Sequence, residues 1–193
     1  MSEPEIDKGG ASEADVAGRS AEVPVRIVRY DPAWPDRFDE ERVLLEAAIG
    51  DWALGGIHHV GSTAVPGLDA KPIIDILVGV RTLEESRRSF DRLAALDYRY
   101  ASYRSLEMHW FCKPHPTTRT HHLHLVPSDS PRFRHELALR DLLRTDAELA
   151  ERYRALKHDL AARFEHDRDA YTAGKAEFIA AALARSAGVR SSG

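Results

Sequence analysis

Cysteine occurs once in these 193 residues, at Cys112. No intrachain disulfide can form, no cysteine-built zinc cluster is available, and a reducing compartment is the natural one. A run of about 18 apolar residues is also missing, which excludes a membrane-spanning helix. Residues 1–23 hold no apolar stretch of signal-peptide length, so the expected location is the cytoplasm, away from membranes. The phosphate loop G-x-x-x-x-G-K-[ST] occurs nowhere, and kinase chemistry of that type is not expected. Nor is there a surplus of positive charge. The 27 Lys and Arg face 31 Asp and Glu, a formal net charge of −4, which argues against a dedicated nucleic-acid coat or a membrane-surface protein.

What is present fits one domain with a substantial core. Residues 1–23, polar and carrying Gly9-Gly10, read as a disordered leader; 24–185 as the folded domain; 186–193 as a loose tail. Val25–Arg29 alternates like a strand, and Asp31-Pro32 with Trp34-Pro35 forms a rigid turn before a helix that runs to about Gly50. Its apolar stripe is Phe38, Leu45 and Ile49, with Leu44 and Ala48 alongside. Strands are expected at Leu54–Val60, Ile73–Val80, Glu107–Lys113 and Thr120–Val126. Thr82, with Glu85 three residues on, caps a helix through Leu96. From Ser130 onward the pattern is helical, at 131–144, 147–166 and 169–185. The expected architecture is α/β of the α+β kind: a small mixed β-sheet with flanking helices and a helical C-terminal portion.

The chemistry concentrates around residues 59–76. A Gly61-Ser62 step leaves the first strand, a loop containing Val65-Pro66-Gly67 follows, and Asp75 then stands inside a strand otherwise made of Ile, Leu and Val. A carboxylate in such a strand is costly without a metal, a cation or hydrogen bonds. By the period of two, Ile74, Ile76 and Val78 face one way and Ile73, Asp75 and Leu77 the other. Gly61 lets the backbone approach a ligand closely, and if Ser62 to Val65 opens a helical turn, its free N–H groups form an anion nest for phosphate, with Lys71 adding positive charge. The plainer use is that Asp75 pairs with an arginine in the fold.

A second constellation is His121-His122-Leu123-His124-Leu125-Val126. On a strand His122 and His124 share one face, a workable metal or phosphate platform, although two imidazoles alone do not specify zinc. Glu107 and His109 share another face and are candidates for further ligands, or form an exposed edge. Arg140 and Arg144 are four apart, as are Tyr153 and Lys157; each pair lies on one helix face, set to solvent or to close over a triphosphate.

Three segments together, Tyr30-Asp31-Pro32-Ala33-Trp34-Pro35, Gly61-Ser62-Thr63-Ala64-Val65-Pro66-Gly67-Leu68 through Lys71-Pro72-Ile73-Ile74-Asp75-Ile76, and Thr120-His121-His122-Leu123-His124-Leu125-Val126, resemble the GrpB family, also known as UPF0157. The likeness continues through Leu139–Arg144, Tyr153 to Lys157, and Tyr171 to Ile179 with Gly174-Lys175, and covers about residues 25–185. It implies a nucleotidyltransferase-like fold of the polymerase-β type. Enzymes of that superfamily place two carboxylates on one strand as D-x-D to hold magnesium; here the flanking positions are Ile73 and Leu77, and the resemblance implies that His122 and His124 take part of that role.

The resulting expectation is metal-assisted transfer of a nucleotidyl group from an NTP to a small-molecule acceptor. Asp75, Lys71 and Arg140 are the expected catalytic residues. Asp75, His122 and His124 would bind a divalent metal, Mg2+ or Mn2+, with Zn2+ an alternative. Gly61, Ser62, Thr63, Lys71, Arg144, Lys157 and Lys175 would bind the nucleotide. The alternative is a non-catalytic nucleotide- or phosphate-binding regulator; a nucleic-acid-end transferase and a dephospho-CoA kinase are less favoured, by the charge and by the missing P-loop.

Overall fold

The computed structural model describes residues 24–190, with side chains through residue 185, so the expected leader at 1–23 lies outside the described residues. Pro35 in the first turn and Asp36 beside it start helix α1, Trp34–Ile49, where a missing N–H costs nothing and a negative charge meets the helix dipole. Its inward stripe is Trp34, Phe38, Leu45 and Ile49, together with the acid Glu41; Leu44, expected on that stripe, is exposed. Glu41 takes two hydrogen bonds from the Lys113 ammonium, at 2.9 and 3.0 Å, which offset its burial.

Five strands follow: β1 Ile57–Val60, β2 Ile74–Val80, β3 Arg99–Ala101, β4 His109–Lys113 and β5 His121–Pro127. They form one mixed sheet in the order β1-β2-β5-β4-β3. β2 and β5 run parallel, and the other pairings are antiparallel. The connection between β2 and β5 carries α2, Leu83–Ser86, and α3, Phe90–Ala95. One face of the sheet, with Ile74, Ile76, Val78, Leu123 and Leu125, packs on α1 and on Leu93 of α3. The other face carries Val60, Leu77, Trp110, Cys112 and Val126 under Phe133 of α4, Pro131–Thr145. Helices α5, Ala147–Arg163, α6, Arg168–Ala173, and α7, Ala176–Arg190, complete that side, with Val65 and Leu68 of the β1–β2 loop packed against Leu143, Leu149 and Tyr153.

Several expectations need correction. Val25–Arg29 is no strand: a single bridge joins Val28 to Ala70, and Val25 instead packs with Leu160 and Tyr171. The expected helix from Thr82 to Leu96 is split by a 3-10 turn at Arg87–Ser89, although Thr82 does cap it, its hydroxyl accepting from the Glu85 N–H at 3.1 Å. The expected helix 169–185 is two helices broken at Gly174-Lys175, where an added Cβ on Gly174 would lie 2.5 Å from Leu160. The last helix continues to Arg190, past the expected start of the tail; 191–193 lie outside the described residues.

Candidate functional site

Parallel pairing sets Asp75 directly opposite His122, with His124 two residues further along β5 on the same face. The His122 Nδ1 donates to Asp75 Oδ1 at 2.9 Å. One ligand atom from each of Asp75, His122 and His124 lies within 4.8 Å of the others. The Nε2 of His122 is buried with no hydrogen-bond partner among the described residues. An ion shared with Asp75 would lie on the Nδ1 side of the ring, where metal binding displaces the proton of that hydrogen bond. Burial pushes the Asp75 carboxyl up, but the hydrogen bond and the nearby charges of His122, His124 and Lys71 hold it down at about 2. Burial likewise drives His122 to about 4 against the pull of Asp75. At neutral pH the pair is therefore carboxylate and neutral imidazole, the protonation states that bind metals.

His124 is oriented by a residue the sequence reading missed. Its Nδ1 lies 3.5 Å from Glu136 Oε2 on α4, and Glu136 in turn takes Arg132 Nε at 2.9 Å. The i,i+4 spacing of Arg132 and Glu136 was visible in the sequence; their approach to β5 from a separate helix was not.

Gly61 closes the site from the β1 side. Its φ is +70°, and a Cβ there would sit 2.4 Å from Asp75 Oδ2, so both the backbone conformation and the space require glycine. Ser62–Ala64 then form one 3-10 turn, whose first N–H groups have no partner within the turn. Tyr153 of α5 stands beside Ser62, and both line the cavity. Thr63 departs from its expected role as a ligand-binding side chain: it is buried, its hydroxyl donates to the Ile73 carbonyl at 3.4 Å and meets His59 Nε2 at 3.0 Å.

These groups face a cavity of about 1850 Å³ between the sheet and the C-terminal helices. Lys71 and Lys175 stand in it with their ammoniums 5.2 and 4.5 Å from the Tyr171 ring. Burial, then the charges of Lys175, Arg168 and Arg119, push Lys71 down to about 7, and burial lowers Lys175 as well. Lys157 also reaches the cavity, but its buried ammonium donates to the Asp69 carbonyl and is pushed down to about 7 by burial and Lys175.

Arg140 and Arg144 are not where a charge-neutralising pair was expected. Arg140 donates to the His59 carbonyl at 3.2 Å and to Asp141 at 2.7 Å, in a small side pocket behind Gly61 and Ser62. Arg144 donates to the Ala64 carbonyl at 2.8 Å and lines neither space. Arg140 thus braces the end of β1 and Arg144 the turn that follows it. Glu107 and His109 are not ligands either: Glu107 pairs with Arg132 at 2.9 Å, and His109 is buried, with its Nε2 at 2.8 Å from the Leu83 carbonyl.

A mixed α+β fold with a carboxylate–imidazole cluster set in a large cavity defines the class of protein. The GrpB protein family model matches residues 24–185, and the chain belongs to that family. It is 40% identical over 166 residues to the UPF0157 protein PA4798 of Pseudomonas aeruginosa, covering 83% of this chain and 67% of that one. It is 34% identical over 155 residues to the UPF0157 protein YqkA of Bacillus subtilis, covering 80% of this chain and 45% of that longer protein. The crystal structure of conserved protein GrpB from Enterococcus faecalis superposes with a TM-score of 0.74 at 32% identity, over 83% of this chain and 98% of that one. No helix among the described residues is long and apolar enough to cross a membrane.

Proposed function

We propose that this chain is a metal-assisted nucleotidyltransferase, moving a nucleotidyl group from an NTP to a small-molecule acceptor. The observation that carries the reading is the meeting of three metal-ligand atoms, from Asp75, His122 and His124, beside the Gly61–Ser62 turn in one cavity. These three residues would hold a divalent ion, Mg2+ or Mn2+ through the carboxylate, with Zn2+ also suited to the imidazoles. Such an ion supplies charge stabilisation at the transferring phosphorus and orients the triphosphate. The chain's own part is positioning: the Ser62 hydroxyl and the turn's N–H groups donate hydrogen bonds to phosphate oxygens, while Lys71 and Lys175 offset their charge. Anionic phosphate beside Lys71 restores the proton that burial tends to remove. The single free cysteine, buried in the sheet, fits a reducing cytoplasm.

The test is calorimetric titration of wild type and Asp75→Asn with Mg2+, Mn2+ and Zn2+, followed by labelled NTPs and release of pyrophosphate in the presence of cell extract. Wild type is expected to bind metal and release pyrophosphate, and Asp75→Asn to lose both while keeping its fold. Unchanged metal and triphosphate affinity in Asp75→Asn would make Asp75 structural and end the proposal. One feature favours a second reading, a regulator that binds nucleotide without turnover: both positions two residues from Asp75 are the buried, apolar Ile73 and Leu77. Tight NTP binding with no pyrophosphate from any acceptor or metal decides for it.

A further inference from the structure

The cavity also holds two arginines assigned neither to the carboxylate–imidazole cluster nor to the triphosphate. Arg168 opens α6, and its Nε and Nη1 atoms are buried with no hydrogen-bond partner among the described residues, although the residue faces the cavity. A guanidinium has five donors and no acceptor, so donors left unmade in a recess cost free energy until an acceptor arrives. Arg119 comes from the loop between β4 and β5. Its Nε donates to the Pro116 carbonyl at 2.7 Å, and its guanidinium lies 5.1 Å from the centre of the Trp110 ring. Trp110 is itself packed on His122, with ring centres 5.1 Å apart. A chain of stacked side chains thus holds Arg119 two ring contacts away from a candidate metal ligand, at a fixed distance across one cavity wall.

We propose that Arg119 and Arg168 form an oxyanion site for the acceptor substrate, which therefore carries a phosphate or carboxylate group. The inference rests on the nucleotidyl-transfer reading for the role of the site, and on the arginines themselves for its existence. Two guanidinium charges in one recess draw an anion toward it. Burial, and then Arg168, push Arg119 down to about 10, and burial lowers Arg168 too. Position separates this pair from the lysines assigned to the triphosphate. The charge of Asp75 bears on Lys71 and Lys175, whereas the neighbours that bear on Arg119 are Arg168 and Cys112, and those on Arg168 are Asp169 and Cys112. Both arginines also bear on Lys71, so they share its stretch of the cavity but stand further than it does from Asp75. Guanidinium favours planar, two-pronged recognition of carboxylate and phosphate, which a lysine does not give.

The experiment is calorimetric titration of the full chain in three arms: inorganic phosphate without metal, malonate without metal, and Mg–ATP. Saturable binding in the phosphate or the malonate arm is expected, and the tighter of the two identifies the acceptor's anion. Arg168→Gln should weaken that anion at least about tenfold while changing Mg–ATP affinity less than about twofold, and Asp75→Asn should do the reverse. Arg119→Gln, in a loop and outside the core, repeats the measurement where Arg168→Gln proves unstable. Binding of neither anion, or anion binding indifferent to both substitutions, overturns the site. Equal loss of Mg–ATP and anion in the arginine variants places these residues on the triphosphate and overturns the acceptor assignment. Wild-type protein that takes the anion but never Mg–ATP overturns the nucleotidyl-transfer reading and leaves the oxyanion site standing.

Discussion

The two faces of β2 and β5 are built from alternate residues of the same strands and do opposite work. Ile74, Ile76, Val78, Leu123 and Leu125 are nearly inaccessible and contribute stability by leaving water. Asp75, His122 and His124, interleaved with them, keep polar atoms at a cavity. The chemical face is held in register by the apolar one, and groups costly to bury are carried by a sheet whose other side supplies the free energy. The faces should therefore respond differently to substitution.

The largest expected loss of stability comes from the apolar face. Ile76→Ala, at a position with no exposure, should cost about 3 kcal/mol in denaturant unfolding while leaving metal affinity unchanged below the melting transition. A parallel loss of metal affinity would break the separation of the faces. Gly61→Ala comes next. It combines a left-handed backbone with a Cβ pressed on Asp75, and should cost about 2 kcal/mol and, unlike Ile76→Ala, remove metal binding. Normal metal binding in that variant would show that Asp75 can shift without consequence. The smallest effect, and of opposite sign, is Lys71→Met. Lys71 is pushed down to about 7 in the fold against about 10.5 in the unfolded chain, so below pH 7 its charge is carried into the cavity at full cost. Because the substitution also removes the ammonium's contact with the Tyr171 ring and the cavity is open to water, the net gain in stability should be only about 1 kcal/mol, roughly 3 °C, near pH 7. That gain should shrink as pH rises from 7 toward 10.5, because the wild-type lysine then sheds its proton on folding and its penalty fades. A gain independent of pH would mean the lysine's charge is not what strains the cavity.

Much of the two-faced design was legible in the chain. The period of two set Ile74, Ile76 and Val78 against Ile73, Asp75 and Leu77, and His122 and His124 against His121, Leu123 and Leu125, because alternation is a property of extended backbone alone. What failed were elements whose state is fixed from a distance. Val25–Arg29 alternates as a strand should, but only Val28 finds a partner, because Val25 is drawn against Leu160 and Tyr171. β3 has only three residues, too few for a periodic pattern to register. Arg140 and Arg144 share a helix face as expected, yet the carbonyls of His59 and Ala64 that they hold belong to the end of β1 and the turn after it, some 80 residues earlier. Glu136, Arg119 and Arg168 carry no local signature, since their meaning comes from the cavity that three separate elements enclose.

The parallel pairing of β2 with β5 has a consequence in time. Asp75 and His122 are 47 residues apart, and no hairpin can join parallel neighbours, so the crossover through α2, α3, β3 and β4 must be laid down first. Contacts of such separation close late, after the local turns and helices have formed. A nascent chain that ends before β5 carries the Gly61 turn and Asp75 but neither imidazole. The carboxylate–imidazole cluster is thus an outcome of folding and cannot serve as its nucleus, and an ion would find it complete only once the sheet has assembled.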